Sequence, residues 1–198
     1  MKITITGNRG FIGTHLTNFL KEEGHTVIGY DLLDKRDIFD DEFVYAVKAA
    51  DVIYHLAANV SVDTSFKNPN QVFITNVLGT AKVAYLCAKY GKKLIYSSTA
   101  AIYHRDLSPY AYSKGLAEDI MKGIIDTCPV VILRFYNIFG EGMNKNSGSI
   151  MYNFLHDDPI IIYGDGEQTR DYIHVNDVVA IMEDALNDNW NGKVVDIG

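Results

Sequence analysis

The chain has 198 residues, of which 47% are hydrophobic and 22% charged, and these values are typical of a globular protein rather than a disordered one. A net charge of −7 argues against a nucleic-acid partner, and no apolar stretch is long enough to cross a membrane. The first residues, MKITITGNRGFIG, lack the features of a secretory signal, and Cys87 and Cys128 show no metal-ligand spacing. We therefore expect a soluble, cytoplasmic protein with buried free thiols, no metal site and no membrane or nucleic-acid partner.

Short β-branched runs alternate with longer amphipathic runs along the chain. In chain order, strands are predicted at 2–6, 26–30, 51–58, 92–98, 129–136 and 193–197. Helices are predicted at 11–24, 42–50, 68–91, 108–126 and 177–188. Ser108 is expected to cap the fourth helix, with Pro109 in its first turn, and Asn176 to cap the last. This alternation is typical of repeated βαβ units.

The strands that are apolar throughout, such as VVIL, indicate a parallel sheet that is covered by helices on both faces. With right-handed crossovers, the predicted fold is α/β, a doubly wound parallel sheet of the Rossmann type. From Asn137 onward the pattern changes to loops and short strands. We expect a Rossmann domain over 1–136, a small, incomplete C-terminal lobe over 137–175, and a helix and strand that return to the Rossmann domain over 176–198.

A glycine-rich turn joins the first predicted strand to the first helix. Its glycines, Gly7, Gly10 and Gly13, suit a tight turn, a close approach of the backbone to a pyrophosphate, and close helix packing. Asp31 ends the second strand, where its carboxylate can accept hydrogen bonds from both hydroxyls of an adenosine ribose. Because that carboxylate would repel a 2′-phosphate, we expect NAD, although the nearby cations keep NADP open: Arg9, Lys35 and Arg36.

A second candidate site comprises Thr99, Tyr110 and Lys114. Thr99 ends a central strand, at the edge where open α/β sheets bind ligands, and Tyr110 and Lys114 lie one helical turn apart. An ammonium group near a phenol favours the phenolate, and a positively charged nicotinamide would act in the same direction. The set therefore predicts a tyrosine that acts as a base near neutral pH, with Thr99 hydrogen-bonded to the reacting oxygen.

Eight segments together carry a specific resemblance, in order, over nearly the whole chain: TGNRGFIG, GYD, HLAA, NPNQVFITNVLGTAK, LIYSSTAAIY, SPYAYSK, LRFYNIFG and GDGEQTRDYIHVNDVV. They resemble the extended short-chain dehydrogenases/reductases, in particular the NAD-dependent nucleotide-sugar epimerases and dehydratases. The resemblance implies that Thr99, Tyr110 and Lys114 are catalytic and that a nucleotide sugar is the substrate.

The same resemblance implies the remaining contacts. The cofactor NAD would be contacted by these residues: Gly7, Gly10, Phe11, Ile12, Gly13, Asp31, Asp37, Ile38, Leu56, Ala57, Ala58, Ser97, Tyr110, Lys114 and Phe135. Thr99, Asn137 and Arg170 would hold the nucleotide sugar, with Arg170 on its diphosphate, a task that suits a guanidinium fork. Arg170 could instead pair with a surface acid such as Asp171. His174 falls at a family position that is usually structural.

The reaction implied by the resemblance is epimerisation. Family dehydratases carry an acid–base pair directly after the catalytic hydroxyl, and here those positions hold Ala100 and Ala101, which have no proton to move. Epimerisation would oxidise a sugar hydroxyl to a ketone and reduce it again from the other face, which leaves the cofactor unchanged overall. The chain differs from the family in two ways. The segments after Asp31 and between Tyr103 and Ser108 are shorter, and the sequence ends at Gly198, where relatives continue.

Two other functions stay open. The chain could be a binding module that holds NAD and a sugar nucleotide without turnover, or a net reductase or dehydrogenase. The resemblance also implies a homodimer through the helices at 69–90 and 109–127. The first of these helices carries many apolar residues, namely Val72, Phe73, Val77, Val83, Ala84 and Leu86. Packing within the monomer is the alternative explanation for them.

Overall fold

The computed structural model describes residues 1–143, 150–157, 159–162 and 164–198. The strands are β1 (Lys2–Thr6), β2 (Thr26–Tyr30), β3 (Val52–His55), β4 (Lys93–Thr99), β5 (Val130–Phe135), β6 (Asn137–Phe139), β7 (Tyr172–His174) and β8 (Val194–Ile197). The helices are α1 (Phe11–Glu22), α2 (Phe43–Ala49), α3 (Val62–Lys67), α4 (Pro69–Phe73), α5 (Gly79–Tyr90), α6 (Pro109–Gly123), α7 (Ile150–His156) and α8 (Val175–Asp184).

Six strands form one parallel sheet in the order β2-β1-β3-β4-β5-β8. The chain moves outward from β1 to β2 and then crosses back to β3 on the other side of β1. This reversal opens a crevice at the carboxyl ends of β1 and β3, where open α/β sheets bind their ligands. The predicted doubly wound parallel fold is confirmed.

Both faces of the sheet are covered, because the central strands are apolar throughout and need protection from water on each side. One core contains buried side chains of β3, β4 and β5 together with α2, α5 and α6. The other lies between the opposite face and the helices α1 and α8. Successive side chains of a strand point alternately to the two cores, so that Ile53 lies in the first core and Tyr54 in the second.

Beyond the large sheet, β6 and β7 form a separate two-stranded parallel sheet. The loop that follows β6 is attached to α1, where the His15 ring nitrogen Nε2 donates to the Glu141 carbonyl at 2.7 Å. Of the loops and short strands expected from Asn137 onward, the described residues include the strands β6 and β7. Within the described ranges, no helix is long and apolar enough to cross a lipid bilayer.

Two helix predictions need correction. The helix expected over 68–91 is interrupted by a π-helical turn at Ile74–Leu78, and a short helix, α3, precedes it. The last helix begins at Val175, and its N-cap is His174, whose Nδ1 accepts from the Asn176 N–H at 3.2 Å. Asn176 therefore lies inside the first turn, and the structural residue His174 performs the capping itself.

Ser108 caps α6 as predicted: its Oγ accepts from the Ala111 N–H at 3.1 Å, and Pro109 occupies the first turn. The cap fixes the start of α6 at Pro109, one residue before Tyr110. It thereby sets which face of the helix Tyr110 and Lys114 occupy.

Candidate functional site

The glycine-rich turn passes from the end of β1 into α1 at the crevice. Gly7 has a φ of +74°, which favours glycine, and a Cβ added there would lie 2.8 Å from the Ala57 nitrogen. A Cβ at Gly13 would lie 2.1 Å from the Gly7 carbonyl oxygen, so these two glycines allow turn, helix and the neighbouring strand to pack closely. A Cβ at Gly10 would meet only the Gly7 carbonyl oxygen, at 3.3 Å.

The start of α1 suits a pyrophosphate. Gly10 is the N-cap and has no side chain to bond the first turn, so the N–H groups of Phe11, Ile12 and Gly13 have no partner within the helix. Free N–H groups and the helix dipole favour an anion at this position. The close-packed glycines and the uncapped helix therefore fit the dinucleotide that the sequence predicts.

Asp31 directly follows β2. Its two carboxylate oxygens accept from the backbone N–H groups of Leu33 and Arg9, at 3.0 and 3.1 Å. These bonds fix the carboxylate and leave each oxygen with a further lone pair for a ribose hydroxyl. Of the nearby cations, Arg36 donates to the Gly29 carbonyl at 3.0 Å and lies over the Tyr30 ring.

Asp37 and Ile38, two of the predicted NAD contacts, lie on the loop that follows β2. Asp37 is part-exposed, and its Oδ1 accepts from the Phe39 N–H at 2.9 Å. Ile38 is buried, and its Cδ1 would be 2.8 Å from a Cβ at Gly79, so the start of α5 contacts this loop closely.

The segment Leu56–Ala58 follows β3 along the floor of the crevice. Its Ala57 N–H donates to Thr6 Oγ1 at 3.3 Å, and Leu56 N–H donates to the Thr6 carbonyl at 3.1 Å. The Thr6 hydroxyl in turn contacts His55 Nδ1 at 2.7 Å, and His55 Nε2 contacts Thr80 Oγ1 at 2.9 Å. Burial lowers the pKa of His55 to about 3, so the ring is neutral and ties β1, β3 and α5 together.

Asn76 is a buried polar residue that the sequence analysis did not single out. It is buried in the π-helical turn, where its amide accepts from the Asn59 N–H at 2.8 Å and donates to the Asn59 carbonyl at 3.0 Å. The same amide nitrogen donates to Ser113 Oγ at 2.9 Å. Asn76 thus connects the loop after Ala58 to α6. A polar residue within an apolar helical run was the only signal in the sequence.

Thr99 and Tyr110 lie together at the carboxyl end of β4. Thr99 Oγ1 accepts from the Ala101 N–H at 3.2 Å, which leaves its own proton for the Tyr110 oxygen. Burial raises the pKa of Tyr110, and the hydrogen bond with Thr99 lowers it in part. From the protein's own groups the net result is a raised pKa, contrary to the lowered value expected from sequence.

Lys114 is buried one turn after Tyr110. Its amine donates to the Ser97 carbonyl at 2.5 Å and lies 4.4 Å from the centre of the Tyr96 ring, a cation–π contact. Burial lowers the pKa of Lys114 to about 7, while the Glu118 carboxylate acts in the opposite direction. Lys114 therefore changes charge near physiological pH.

Three further predicted site residues are Phe135, Asn137 and Arg170. Phe135 is buried at the end of β5, and the Asn137 amide donates to the Asp171 carbonyl at 2.8 Å. Arg170 is exposed, and its Nη1 donates to the carbonyl of its neighbour Thr169 at 2.7 Å. Within the described residues, no group of His, Cys, Asp and Glu side chains is arranged to hold a metal ion.

A Rossmann sheet with an uncapped glycine turn, an acid after β2, and a Thr-Tyr-Lys set at the carboxyl edge defines a nucleotide-cofactor enzyme of the short-chain dehydrogenase/reductase type. The model of the NAD dependent epimerase/dehydratase family matches residues 3–198, and the chain belongs to that family. NAD is the cofactor of this family, as the sequence predicted.

Three known proteins illustrate the similarity. The chain is 29% identical to a UDP-N-acetyl-α-D-glucosaminuronate decarboxylase of Bacillus cytotoxicus, over 98% of this chain and 74% of the relative. It is 30% identical to a UDP-glucose 4-epimerase of Mycoplasma genitalium, over 89% of this chain and 68% of the relative. The solved structure of MoeE5 in complex with UDP-glucose and NAD is 28% identical and superposes with a TM-score of 0.87, over 100% of this chain and 76% of that one. The chain therefore spans about three quarters of the length of these proteins or slightly less.

Proposed function

We propose that the protein is an NAD-dependent epimerase that inverts a hydroxyl-bearing carbon of a nucleotide sugar through a transient ketone. The observation that carries this proposal is the contact of Thr99 with Tyr110, and Lys114 one turn further on, at the same sheet edge as the glycine turn. Relatives with UDP-sugar epimerase names and a neighbour that binds UDP-glucose and NAD support it.

The cofactor would be held along the crevice. Gly10 and the first turn of α1 would bind the pyrophosphate, Asp31 the adenosine ribose, and Ser97 and Lys114 would lie near the nicotinamide end. When bound, NAD supplies reversible hydride exchange with the sugar carbon. The protein's contribution is to orient the two reactants and to move one proton.

Tyr110 is proposed as the group that moves this proton. Its phenolate would take the proton of the sugar hydroxyl on oxidation and return it on reduction, while Thr99 donates a hydrogen bond to the reacting oxygen. Since burial raises the pKa of Tyr110 in the protein alone, two positive charges must offset it in the working complex. Protonated Lys114 and the nicotinamide ring would provide them.

Asn137 and Arg170 are proposed to bind the nucleotide sugar, with the exposed Arg170 guanidinium on the diphosphate. The Arg170 guanidinium donates to the Thr169 carbonyl, and among the described residues no ion pair joins it to Asp171. Ala100 and Ala101 provide no acid or base beside Thr99, which argues against dehydration. Decarboxylation of a uronic acid sugar, the reaction in the name of one relative, would use the same first oxidation and is therefore a competing outcome.

We also propose a homodimer through α4–α5 and α6. The apolar residues on which the sequence argument relied are mostly inside the monomer: Val72, Val83, Ala84 and Leu86 are buried. Other apolar side chains of the same region are exposed and could meet a second copy, namely Ile74, Leu78, Tyr85 and Tyr112. A cytoplasmic location is proposed from the two cysteines, both of which are buried free thiols.

The test is incubation of the purified protein with UDP-, GDP- and dTDP-sugars, including UDP-glucuronic acid, followed by separation of isomers and detection of released CO₂. We expect one sugar to be interconverted with its epimer without net change of NAD, and Tyr110→Phe to reduce the rate by about 10²-fold or more. Release of CO₂ would assign a decarboxylase, and accumulation of NADH a net dehydrogenase. Bound NAD without any turnover would assign a binding module.

A further inference from the structure

Glu118 occupies an unusual position for a carboxylate. It lies on α6 four residues after Lys114 and eight after Tyr110, on the same helix face, and it is fully buried. Its carboxylate pairs with the Arg134 guanidinium on β5 through two bonds, Nε to Oε1 at 2.9 Å and Nη2 to Oε2 at 2.8 Å. Ser98 Oγ donates to Oε1 at 2.6 Å.

This pair joins the three elements that carry the proposed catalytic site. Ser98 stands on β4 between Ser97, which accepts from Lys114, and Thr99. Arg134 immediately precedes Phe135 at the end of β5. The carboxylate of Glu118 therefore connects α6 to the ends of both strands within one residue of the proposed catalytic and cofactor contacts.

Arg134 extends the network to the edge of the crevice. Its Nη1 donates to the Tyr103 hydroxyl at 2.9 Å, and that hydroxyl donates to Asp196 at 2.7 Å. Tyr103 lies in the short loop between β4 and α6, and Asp196 lies on β8. The loop that leads to Tyr110 is thus held against the sheet by the same guanidinium.

Stability alone is a weak reason for such a pair. Removing a buried carboxylate and a largely buried guanidinium from water costs about as much as their attraction returns, and an apolar pair of similar size would serve the core as well. A bidentate pair fixes direction and distance, which an apolar contact does not. The geometry of Glu118 and Arg134 therefore suits alignment of α6 better than it suits a gain in stability.

We propose that Glu118 is a positioning residue, which through its fork with Arg134 and its bond from Ser98 holds α6 so that Tyr110 meets Thr99 and Lys114 reaches the cofactor. This inference rests on the proposed function for its kinetic consequences. Its structural consequence, the alignment and charge of Lys114, is independent of which sugar is bound.

The charge of Lys114 gives an independent readout. Burial lowers the pKa of Lys114 to about 7, and Glu118 is the carboxylate that opposes this shift. The ionisable groups that face Lys114 and Glu118 from the surrounding elements are Tyr110 and Lys122 on α6, Tyr96 on β4, His55 on β3 and Arg134 on β5, with Asp196 beyond Tyr103. Loss of the Glu118 carboxylate would remove the negative charge that raises the pKa of Lys114 and would leave Arg134 with Asp196 alone, 3.9 Å away, so the pKa of Lys114 should fall further.

The experiment compares Glu118→Gln with Asp119→Asn in the full chain. Both variants remove one negative charge, at adjacent residues of α6, but Asp119 is exposed and pairs with Arg105 and Lys122. We expect Glu118→Gln to reduce kcat by about 10- to 100-fold with KM changed little, because misalignment affects the chemical step. Asp119→Asn should leave kcat unchanged.

The second readout is the titration of Lys114, followed by NMR of ¹³C-lysine-labelled protein and assigned by the signal that Lys114→Met lacks. We expect the pKa of Lys114 to fall below about 7 in Glu118→Gln. In Asp119→Asn it should stay at about 7, as in the wild type. If Glu118→Gln lowers only the melting temperature, with kcat and the Lys114 titration equal to those of the control, the positioning role is overturned.

The two proposals can fail separately. If the wild-type protein turns over no sugar, the proposed function fails, and the Lys114 titration alone decides the role of Glu118. If Glu118→Gln does not fold, Arg134→Lys keeps the charge but loses the fork, and a lower kcat or weaker NAD binding is expected. Values equal to those of Asp119→Asn in both measurements would overturn the proposal.

Discussion

Lys114 combines a proposed role in catalysis with a cost to folding. It is 4% exposed, and burial brings its pKa from 10.5 to about 7. Below pH 7 the amine is charged in both the folded and the unfolded chain, so folding must desolvate a cation. Above pH 7 the folded chain releases this proton while the unfolded chain keeps it up to about pH 10.5, so stability rises with pH in that window.

Lys114→Met should therefore stabilise the protein at pH 6 to 7 while it abolishes turnover. The advantage of the variant should shrink as the pH rises from 7, by about 1.4 kcal/mol per unit at most. Urea unfolding of both proteins across this range measures the difference. A variant that is less stable than the wild type at pH 6 would contradict this description of Lys114.

Asp31 is expected to set the choice of cofactor. Its carboxylate is fixed by two backbone N–H groups and would accept from the ribose hydroxyls, whereas a 2′-phosphate would meet its charge. Asp31→Asn should weaken NAD binding about tenfold or more. It should also reduce the ratio by which the protein binds NAD more tightly than NADP. Asp34→Asn, three residues away, is the charge-matched control. The measurement is fluorescence titration with NADH and NADPH, and equal effects of the two variants would refute the assignment.

At the scale of elements, the most informative difference between sequence and structure is the break in the long helix. The apolar periodicity of 69–90 continues through the π-helical turn, so the pattern indicated one helix. The turn depends on Asn76, whose amide bonds a loop seventeen residues earlier and α6 thirty-seven residues later. Contacts between residues so far apart in sequence leave no trace in local periodicity.

Asn76→Ala should destabilise the protein by about 1 to 3 kcal/mol, because it leaves the Asn59 N–H and carbonyl without their partner. It should also weaken NAD binding, since the loop after Ala58 lies along the proposed cofactor site. Gln71→Ala, an exposed change in the preceding turn, is the control and should have little effect. Thermal unfolding measures the change in stability of both variants, and NADH titration measures the change in their affinity for the cofactor. Similar values for the two would contradict the proposed role of the turn.

The strands and most helices could be predicted from sequence because each is specified locally. β-branched runs specify β1–β5, and Ser108 with Pro109 specifies the start of α6. The last helix was misjudged at its cap, because a histidine side chain is an uncommon acceptor there and Asn176 was the more usual candidate. The pair of Glu118 and Arg134 could not be predicted, since two charged residues sixteen positions apart show no pattern in common.

At the scale of the whole molecule, the proposed dimer depends on exposed apolar side chains around the π-helical turn. Leu78 is 57% exposed there, and Leu155 on α7 is 66% exposed on a different part of the surface. Leu78→Glu should convert the dimer to a monomer, because a dimer interface cannot bury an unpaired carboxylate, and Leu155→Glu should not. Sedimentation velocity of the wild type and both variants measures this. A wild-type monomer at all concentrations would refute the dimer.

The central claim is that the bound cofactor and Lys114 together make Tyr110 a base. The most direct measurement is the titration of the Tyr110 phenol by ¹³C NMR of tyrosine-labelled protein, assigned with Tyr110→Phe, with and without NAD. We expect a pKa above the ordinary value of 10 in the protein alone, a fall below that value with NAD bound, and a smaller fall in Lys114→Met. A Tyr110 pKa that stays above 10 with NAD bound would contradict the proposed mechanism.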